Sequence, residues 1–253
     1  MKSVRHAPIT VVVPAYNEED NIVSCLDSIA SQTVLPSEVI VVANACTDRT
    51  YDKALSLKNT FGQRGVTLNV INVPQKGVAL ARNTGFNAAA NEIIASTDAD
   101  SVPRKDWIEH IHAHFNLRPH IVAITGPVVM TDAPRPIPAV TRLGWYIFIT
   151  KILEVYAGFQ TITTANAGIK KTAFLAAGGF DNSITSPSGT EGIDDSEFSS
   201  RLSAHGAIIT DRKMLVESTF RRYDTPKKAI KTTVTRARAW RGIKKQHLAL
   251  ISS

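Results

Sequence analysis

"ITVVVPAYNEED", residues 9–20, decides how the rest of the chain is read. Five β-branched residues, Ile9 to Val13, run up to Pro14 and read as a buried strand. The polar turn "PAYNEED" (14–20) follows, where a dinucleotide-binding fold would place GxGxxG. The chain therefore has no glycine cradle for phosphate at this point, yet it spends polar residues at the end of an apolar strand. Ile22, Leu26 and Ile29 then recur on one helix face, and Glu18, Glu19 and Asp20 suit that helix's first turn through the dipole.

The same rhythm repeats. Strands are expected at 37–43, 66–73 and 91–97, and helices at 47–61 and 77–90. Strand and helix alternating in this way imply βαβ units, hence an α/β fold with a mostly parallel twisted sheet flanked by helices. Beyond residue 100 the rhythm loosens into a helix (102–116), a strand (120–130) and a proline-rich connection (131–140). Residues 1–222 read as one catalytic-sized body and residues 223–253 as a basic extension.

In open parallel sheets ligands collect beyond the carboxyl ends of the strands. Three polar stretches end these strands: 14–19, 43–48 and "TDAD" (97–100). Asp98 and Asp100 would share a face if the chain stayed extended. An Asp-x-Asp pair alone is weak, because chance supplies such pairs readily in a chain with 13 aspartates, and an Asx-turn or helix cap is the plain alternative. At this rim, however, two carboxylates suit a hard divalent cation, Mg²⁺ or Mn²⁺, whose remaining positions a diphosphate completes. GxxxxGK[ST] is absent, which excludes a P-loop.

"VVVPAYNEEDNIVSCLDSI", "VIVVANACTDRT", "KGVALARNTGF", "TDAD", "NAGIKKTAFLAAGGFD" and "DDSEFSSRL" stand in the order and spacing of family 2 glycosyltransferases, and the resemblance covers about residues 8–222. It implies the GT-A fold and an inverting transfer from a nucleoside-diphosphate sugar, UDP-linked, to an acceptor hydroxyl. It further implies that Pro14, Ala15, Tyr16 and Glu18 line the nucleotide pocket, with Tyr16 near the base. Asn44 stands where the family often has an aspartate that recognises uracil. Arg82 resembles a residue facing the nucleotide, Asp98 would contact nucleoside and metal, and Asp100 the metal. Asp195 matches the general base and Asp194 is the second candidate. Neighbouring Glu191, Asp194 and Glu197 favour proton acceptance by Asp195. The chain departs from the family's Asp-Asp-Gly-Ser with Ala43-Asn44-Ala45-Cys46; the neutral Asn44 makes a weaker acceptor.

Plainer readings stand beside these. Tyr16 could be core, Glu18 a helix-start acid, and Lys76 and Arg82 solvated surface. Asp48 reads as an N-cap, and Gly178-Gly179 as a helix C-cap. Phe198 and Leu202, four apart, anchor the helix bearing Asp195. "HIHAH" (110–114) mimics a metal cluster, but Trp107, Ile108 and Ile111 mark a packing helix. "DNSITSPSGTEG" (181–192) has the composition of a closing loop.

Charge is unevenly placed. Residues 212–245 hold twelve Lys/Arg against Glu217 and Asp224, a net of +10, which leaves the rest at −3. Such a tail fits a diphosphate or anionic lipid, with Arg221 and Arg222 as phosphate contacts, or simply a solvated helix. Only Phe220, Tyr223 and Trp240 accompany it, too few aromatics for nucleic acid. A non-catalytic glycosyltransferase-like protein holding lipid or nucleic acid through the tail is the alternative function. Cys25 and Cys46 form neither a zinc motif nor a disulfide framework, and the N-terminus lacks a signal-peptide core. Residues 143–159, broken by Lys151 and Glu154, read as a buried or interfacial helix too short for a span. Together these point to a cytoplasmic protein with a peripheral contact at the membrane's inner face, and the family resemblance implies a part in cell-surface polysaccharide synthesis.

Overall fold

Strand β1 (Arg5–Ala15) buries Ile9, Val11, Val12 and Val13 completely, so both of its faces are covered. The structure, a computed structural model, describes residues 5–132, 151–152, 154–184, 193–219 and 239–249. β1 leads into α1 (Ile22–Ala30), β2 (Val34–Asn44), α2 (Thr50–Ser56), α3 (Lys58–Gln63), β3 (Thr67–Val73), α4 (Val78–Ala88) and β4 (Ile93–Ser96). β5 (Ser101–Pro103), α5 (Trp107–Leu117), β6 (Ile121–Thr125) and β7 (Val128–Met130) follow. Beyond them lie β8 (Ala167–Lys170), α6 (Lys171–Ala176), α7 (Ile193–Leu202), β9 (Ala207–Thr210) and β10 (Val216–Ser218).

Seven strands form the main sheet in the order β3-β2-β1-β4-β8-β6-β9. All its pairings are parallel except those of β8, which runs against both β4 and β6. A second sheet, β5-β10-β7, stands beyond the ends of β4 and β6. The strand period decides what each side packs. Val11 and Val13 join Ile22, Leu26, Trp107 and Ile111 on one side, whereas Val12 joins Phe86, Phe174 and Phe198 on the other. Near-continuous apolar strands follow from helices on both faces.

Three boundaries differ from the sequence expectation. The helix expected at 47–61 is two helices, because the Leu57 N–H reaches back only three residues to the Ala54 carbonyl and redirects the chain. The strand expected at 120–130 is split at Gly126-Pro127 between the two sheets. Gly126 lies so close to the Met214 carbonyl that a Cβ has no room there, and Pro127 has no N–H for a ladder. The acids expected in the first turn of α1 precede it, since the helix starts at Ile22. Glu19 instead pairs with Arg49 at 3.1 Å.

Gly178 and Gly179 end α6 as expected. Both have positive φ (77° and 69°), and their N–H groups bond the Leu175 and Phe174 carbonyls at 3.0 and 3.1 Å. This is a Schellman cap, which L-residues with a Cβ adopt reluctantly. Residues 239–249 are helical, and the Trp240 ring stacks on Phe159 with centroids 5.7 Å apart. Part of the basic extension therefore rests on the body. Arg221, Arg222, Glu191 and most of the expected closing loop lie outside the described residues. Among the described residues no helix is long and apolar enough to cross a membrane.

Candidate active site

β1, β2 and β4 deliver their polar ends to one rim. Pro14 and Ala15 pair with Val42 and Ala43 in the last rungs of β1–β2. Next, Tyr16 emerges half-exposed, with the Lys76 ammonium 4.0 Å from its ring centroid. Tyr16 is therefore not core. Asn17 takes φ 51°, and its side-chain oxygen accepts the Thr47 N–H at 2.8 Å, tying the first loop to the second. The Glu18 carboxylate accepts from Asn21 at 2.8 Å, and its carbonyl accepts the Ile22 N–H, so Glu18 stands at the entry of α1. Asp48 accepts the Thr50 N–H and hydroxyl at 3.0 and 2.5 Å one residue ahead of the N-cap of α2, which is Arg49 and not Asp48 as expected.

Asn44 is tied by its side chain to the loop between β3 and α4. Its amide donates to the Gln75 carbonyl at 2.5 Å and its oxygen accepts the Gly77 N–H at 2.8 Å. Both ends of this buried side chain thus clamp the loop that opens α4. That loop carries Lys76, and α4 carries Arg82. Gly85, one turn further, brings α4 onto β1 and β2: a Cβ there would collide with Val12 and meet Val42 Cγ2 at 3.2 Å.

Arg82 is 5% exposed and is the hub of the rim. Its guanidinium is paired to Asp194, lies 3.3 Å from Asp195 Oδ1 and 3.7 Å from Asp98 Oδ1. Burial alone would lower its proton affinity, but the three carboxylates reverse this and hold it charged. Arg82 Nε is buried with no hydrogen-bond partner. The solvated-surface reading of Arg82 is therefore excluded.

Asp194 and Asp195 occupy the first turn of α7, where the helix dipole favours anions. Phe198 and Leu202 are fully buried, as the spacing predicts, and Phe198 packs 4.2 Å from the Phe180 ring. Asp195 also accepts the Thr164 hydroxyl at 2.6 Å and its N–H at 3.2 Å. Burial, opposed by Arg82 and reinforced by Asp194, raises the Asp195 carboxyl to about 6. Thr164 has no motif of its own, and nothing in the sequence pattern marks it as part of the site.

The Asp98–Asp100 segment is a turn rather than an extended strand. β4 stops at Ser96, and the Ser101 N–H closes onto the Asp98 carbonyl at 3.1 Å. Asp98 thereby faces Arg82. Asp100 faces hydroxyls: Thr219 at 3.0 Å, Ser101 at 3.4 Å and Ser218 at 3.5 Å. The donor set around Asp100 is all oxygen, which fits a hard divalent cation. Below it, Cys25 donates to the Asp98 carbonyl. Burial and the fields of Asp100, Asp98 and Glu18 push its thiol far up, so it stays protonated.

Among the described residues the rim gathers Asp98, Asp194 and Asp195 around the Arg82 guanidinium, and Asp100 lies in the same turn as Asp98 but faces hydroxyls. Residues 10–176 match the family described as Glycosyl transferase family 2.

The chain belongs to glycosyltransferase family 2. Glycosyltransferase AglE of Haloferax volcanii is 35% identical over 103 residues, 40% of this chain and 33% of AglE. Glucosyl-dolichyl phosphate glucuronosyltransferase of the same organism is 23% identical over 180 residues, 68% of this chain and 56% of the relative. This glycosyltransferase therefore spans about a third to a half of the length of these curated relatives. The fold is that of the mannosyltransferase PcManGT from Pyrobaculum calidifontis, solved with GDP-Man and Mn²⁺, with TM-score 0.63 and 24% identity over 95% of this chain and 61% of that one. S. aureus TarS 1–349, solved with UDP, gives TM-score 0.63 and 19% identity over 92% and 65%. The GT-A fold expected from the resemblance is the fold found.

Proposed function

We propose that this glycosyltransferase moves a sugar from a nucleoside diphosphate to an acceptor hydroxyl with inversion, using Asp195 as general base and Asp98 with Asp100 as the seat of Mn²⁺ or Mg²⁺. The observation that carries the reading is the placement of Asp195. It lies within 3.3 Å of Arg82 and in hydrogen bonds to Thr164, while Asp194 is taken up by Arg82. A base raised to about 6 is ionised at neutral pH and still basic enough to take a hydroxyl proton.

Inversion requires attack from one face and departure from the other. Asp195, on α7, takes the proton of the attacking hydroxyl. Tyr16 and Lys76 meet the nucleoside at the mouth, and Pro14 and Ala15 form its floor. Arg82 holds Asp195 and Asp98 in one frame, so base and donor site keep a fixed separation. The bound cation supplies charge compensation for the departing diphosphate. The arrangement around Asn44 leaves the base to be read by experiment. PcManGT and TarS were solved with GDP and UDP compounds respectively.

The reading includes a cytoplasmic location and a peripheral contact with anionic membrane. Ile152, Val155 and Tyr156 are exposed apolar residues, and Lys244 sits 4.2 Å over the Tyr156 ring. Apolar insertion beside basic side chains is how interfacial helices bind. Co-sedimentation with anionic but not neutral vesicles, weakened in Val155→Asp, tests this part.

The main test is release of nucleoside diphosphate from UDP- and GDP-sugars with Mn²⁺ or EDTA. Release confined to one base and dependent on metal supports the proposal. No release from any donor removes it.

A further inference from the structure

On the side of the sheet that packs α1 and α5 lies a second cluster of ligating groups, outside the rim. His110 and His114 lie one turn apart on α5, and Asp211 follows β9. Asp211 Oδ2 lies 2.8 Å from His110 Nδ1 and 2.9 Å from His114 Nε2. Among the described residues these three form the one group of such side chains with ligand atoms mutually within 4.8 Å. All three are partly buried.

We propose that His110, His114 and Asp211 bind a borderline transition cation of the zinc class, which pins the β9–β10 connection to α5. Two imidazoles and a carboxylate are the donor set such ions prefer, distinct from the all-oxygen set at Asp100. Bonds of about 2.0–2.2 Å in a tetrahedral shell separate ligands by about 3.3 Å. The two nitrogen–oxygen contacts need to open by about 0.5 Å, and the imidazole nitrogens already lie within 4.8 Å of each other.

The surroundings fit this assignment at two points and oppose it at one. His110 turns its other nitrogen, Nε2, toward Asp106 Oδ2 at 3.6 Å, from which a small rotation makes the carboxylate–histidine hydrogen bond that orients metal-bound imidazoles. Asp106 Oδ1 is buried with no hydrogen-bond partner, and Arg104 Nε lies 3.8 Å from it. Asp211 Oδ1 is fixed by the Lys213 N–H at 2.8 Å, so Oδ2 is the oxygen presented. Against this, Arg118 donates to His114 Nδ1. With Nε2 on a cation, Nδ1 carries the proton, so the exposed Arg118 must turn away.

The consequence is local and structural. Asp211 begins the connection that ends in β10, whose Ser218, with Thr219 after it, faces Asp100. The assignment does not depend on the glycosyl-transfer reading.

The test titrates Zn²⁺ into the tag-free chain with excess Mg²⁺, which occupies oxygen sites and competes poorly for imidazole. The expected result is one equivalent of Zn²⁺ and a rise in melting temperature, both absent in His114→Ala and Asp211→Asn. Asp106→Asn is expected to weaken binding about 10–100-fold, Arg118→Ala to tighten it, and His112→Ala, outside the cluster, to leave it unchanged. Binding that is absent from the wild type, or that persists unaltered in Asp211→Asn and in Arg118→Ala, overturns the proposal. If His114→Ala fails to fold, Asp211→Asn and Arg118→Ala still decide between the two outcomes.

Discussion

Arg82 stands 3.3 Å from Asp195 and in direct contact with Asp194, 112 residues away in sequence, while its other terminal nitrogen faces Asp98. One guanidinium therefore fixes α4, α7 and the turn after β4 relative to each other. Lysine keeps the charge but cannot bridge three carboxylates. Arg82→Met, which also removes the charge, is expected to cost about 3–5 kcal/mol, the scale of breaking a buried pair, and to move the acid limb of the kcat/KM pH profile upward, because Arg82 holds Asp195 down. Urea unfolding and the pH profile check the two effects separately. An unchanged profile would remove Arg82 from the ionisation of Asp195.

Asp195 gives a second test with a defined sign. Its folded value, about 6, exceeds the ordinary aspartate value. The folded state then binds the extra proton, so stability is highest in acid and falls as pH rises through about 4 to 6. Activity runs the opposite way, rising through about 6 as the base ionises. Asp195→Asn is expected to lose roughly 10²–10⁴-fold in turnover with donor affinity retained. Relative to the wild type it should gain stability between about pH 4 and pH 7. Denaturation midpoints at both pH values, beside donor titration, decide this; equal turnover in the variant sinks the assignment.

Asn44 carries an expectation that runs against the family pattern. A carboxylate in its place would face the Gln75 carbonyl, now an acceptor at 2.5 Å. Asn44→Asp, the residue many relatives use, should therefore destabilise this chain by about 1–3 kcal/mol, the cost of an unsatisfied buried group. A neutral or stabilising result would mean that the 75–77 loop re-forms around the charge.

Much of the fold and part of the site are legible in the sequence, and the reason differs from residue to residue. Ile9–Val13, Phe198–Leu202 and Gly178-Gly179 declare themselves through local physics: strand period, helix period and positive φ. The rim itself follows from where the strands end. Thr164 and Asn166 carry no such signal. Asn166 receives the Trp107 indole at 2.8 Å and donates to the Pro127 and Met214 carbonyls, joining the two sheets through contacts no local pattern encodes. "HIHAH" reads as packing from sequence because its third ligand, Asp211, lies 97 residues beyond His114. Analogy with the family assigns Asn44 to the nucleotide, and no local pattern foretells that its side chain also bonds Gln75 and Gly77 in the loop between β3 and α4.

Asp100 tests the cation. Asparagine there keeps one acceptor oxygen and turns an amide donor to the other hydroxyl, whose oxygen can accept it, so the fold should hold. Losing a ligand should weaken Mn²⁺-dependent nucleotide release by at least about 10-fold, since even outer-shell losses reach that size. The dependence of release on Mn²⁺ concentration measures it. Equal release by the wild type in EDTA would end the metal assignment.

Ala45 sits at φ 52°, in the left-handed region that favours glycine. Its N–H bonds the Val73 carbonyl at 2.7 Å, so the backbone is held in this left-handed conformation. A Cβ there costs roughly 1–2 kcal/mol, and glycine would return roughly 0.5–1 kcal/mol of that as chain entropy. Ala45→Gly is thus expected to stabilise the protein by up to about 1 kcal/mol, whereas Ala→Gly elsewhere destabilises. Asn17, at φ 51°, is the control. Its side chain accepts the Thr47 N–H, so Asn17→Gly trades relieved strain for a lost clamp and should show no such gain. Thermal unfolding of the two variants separates a backbone effect from a side-chain one, and a less stable Ala45→Gly would show that the strain at this rim is not felt.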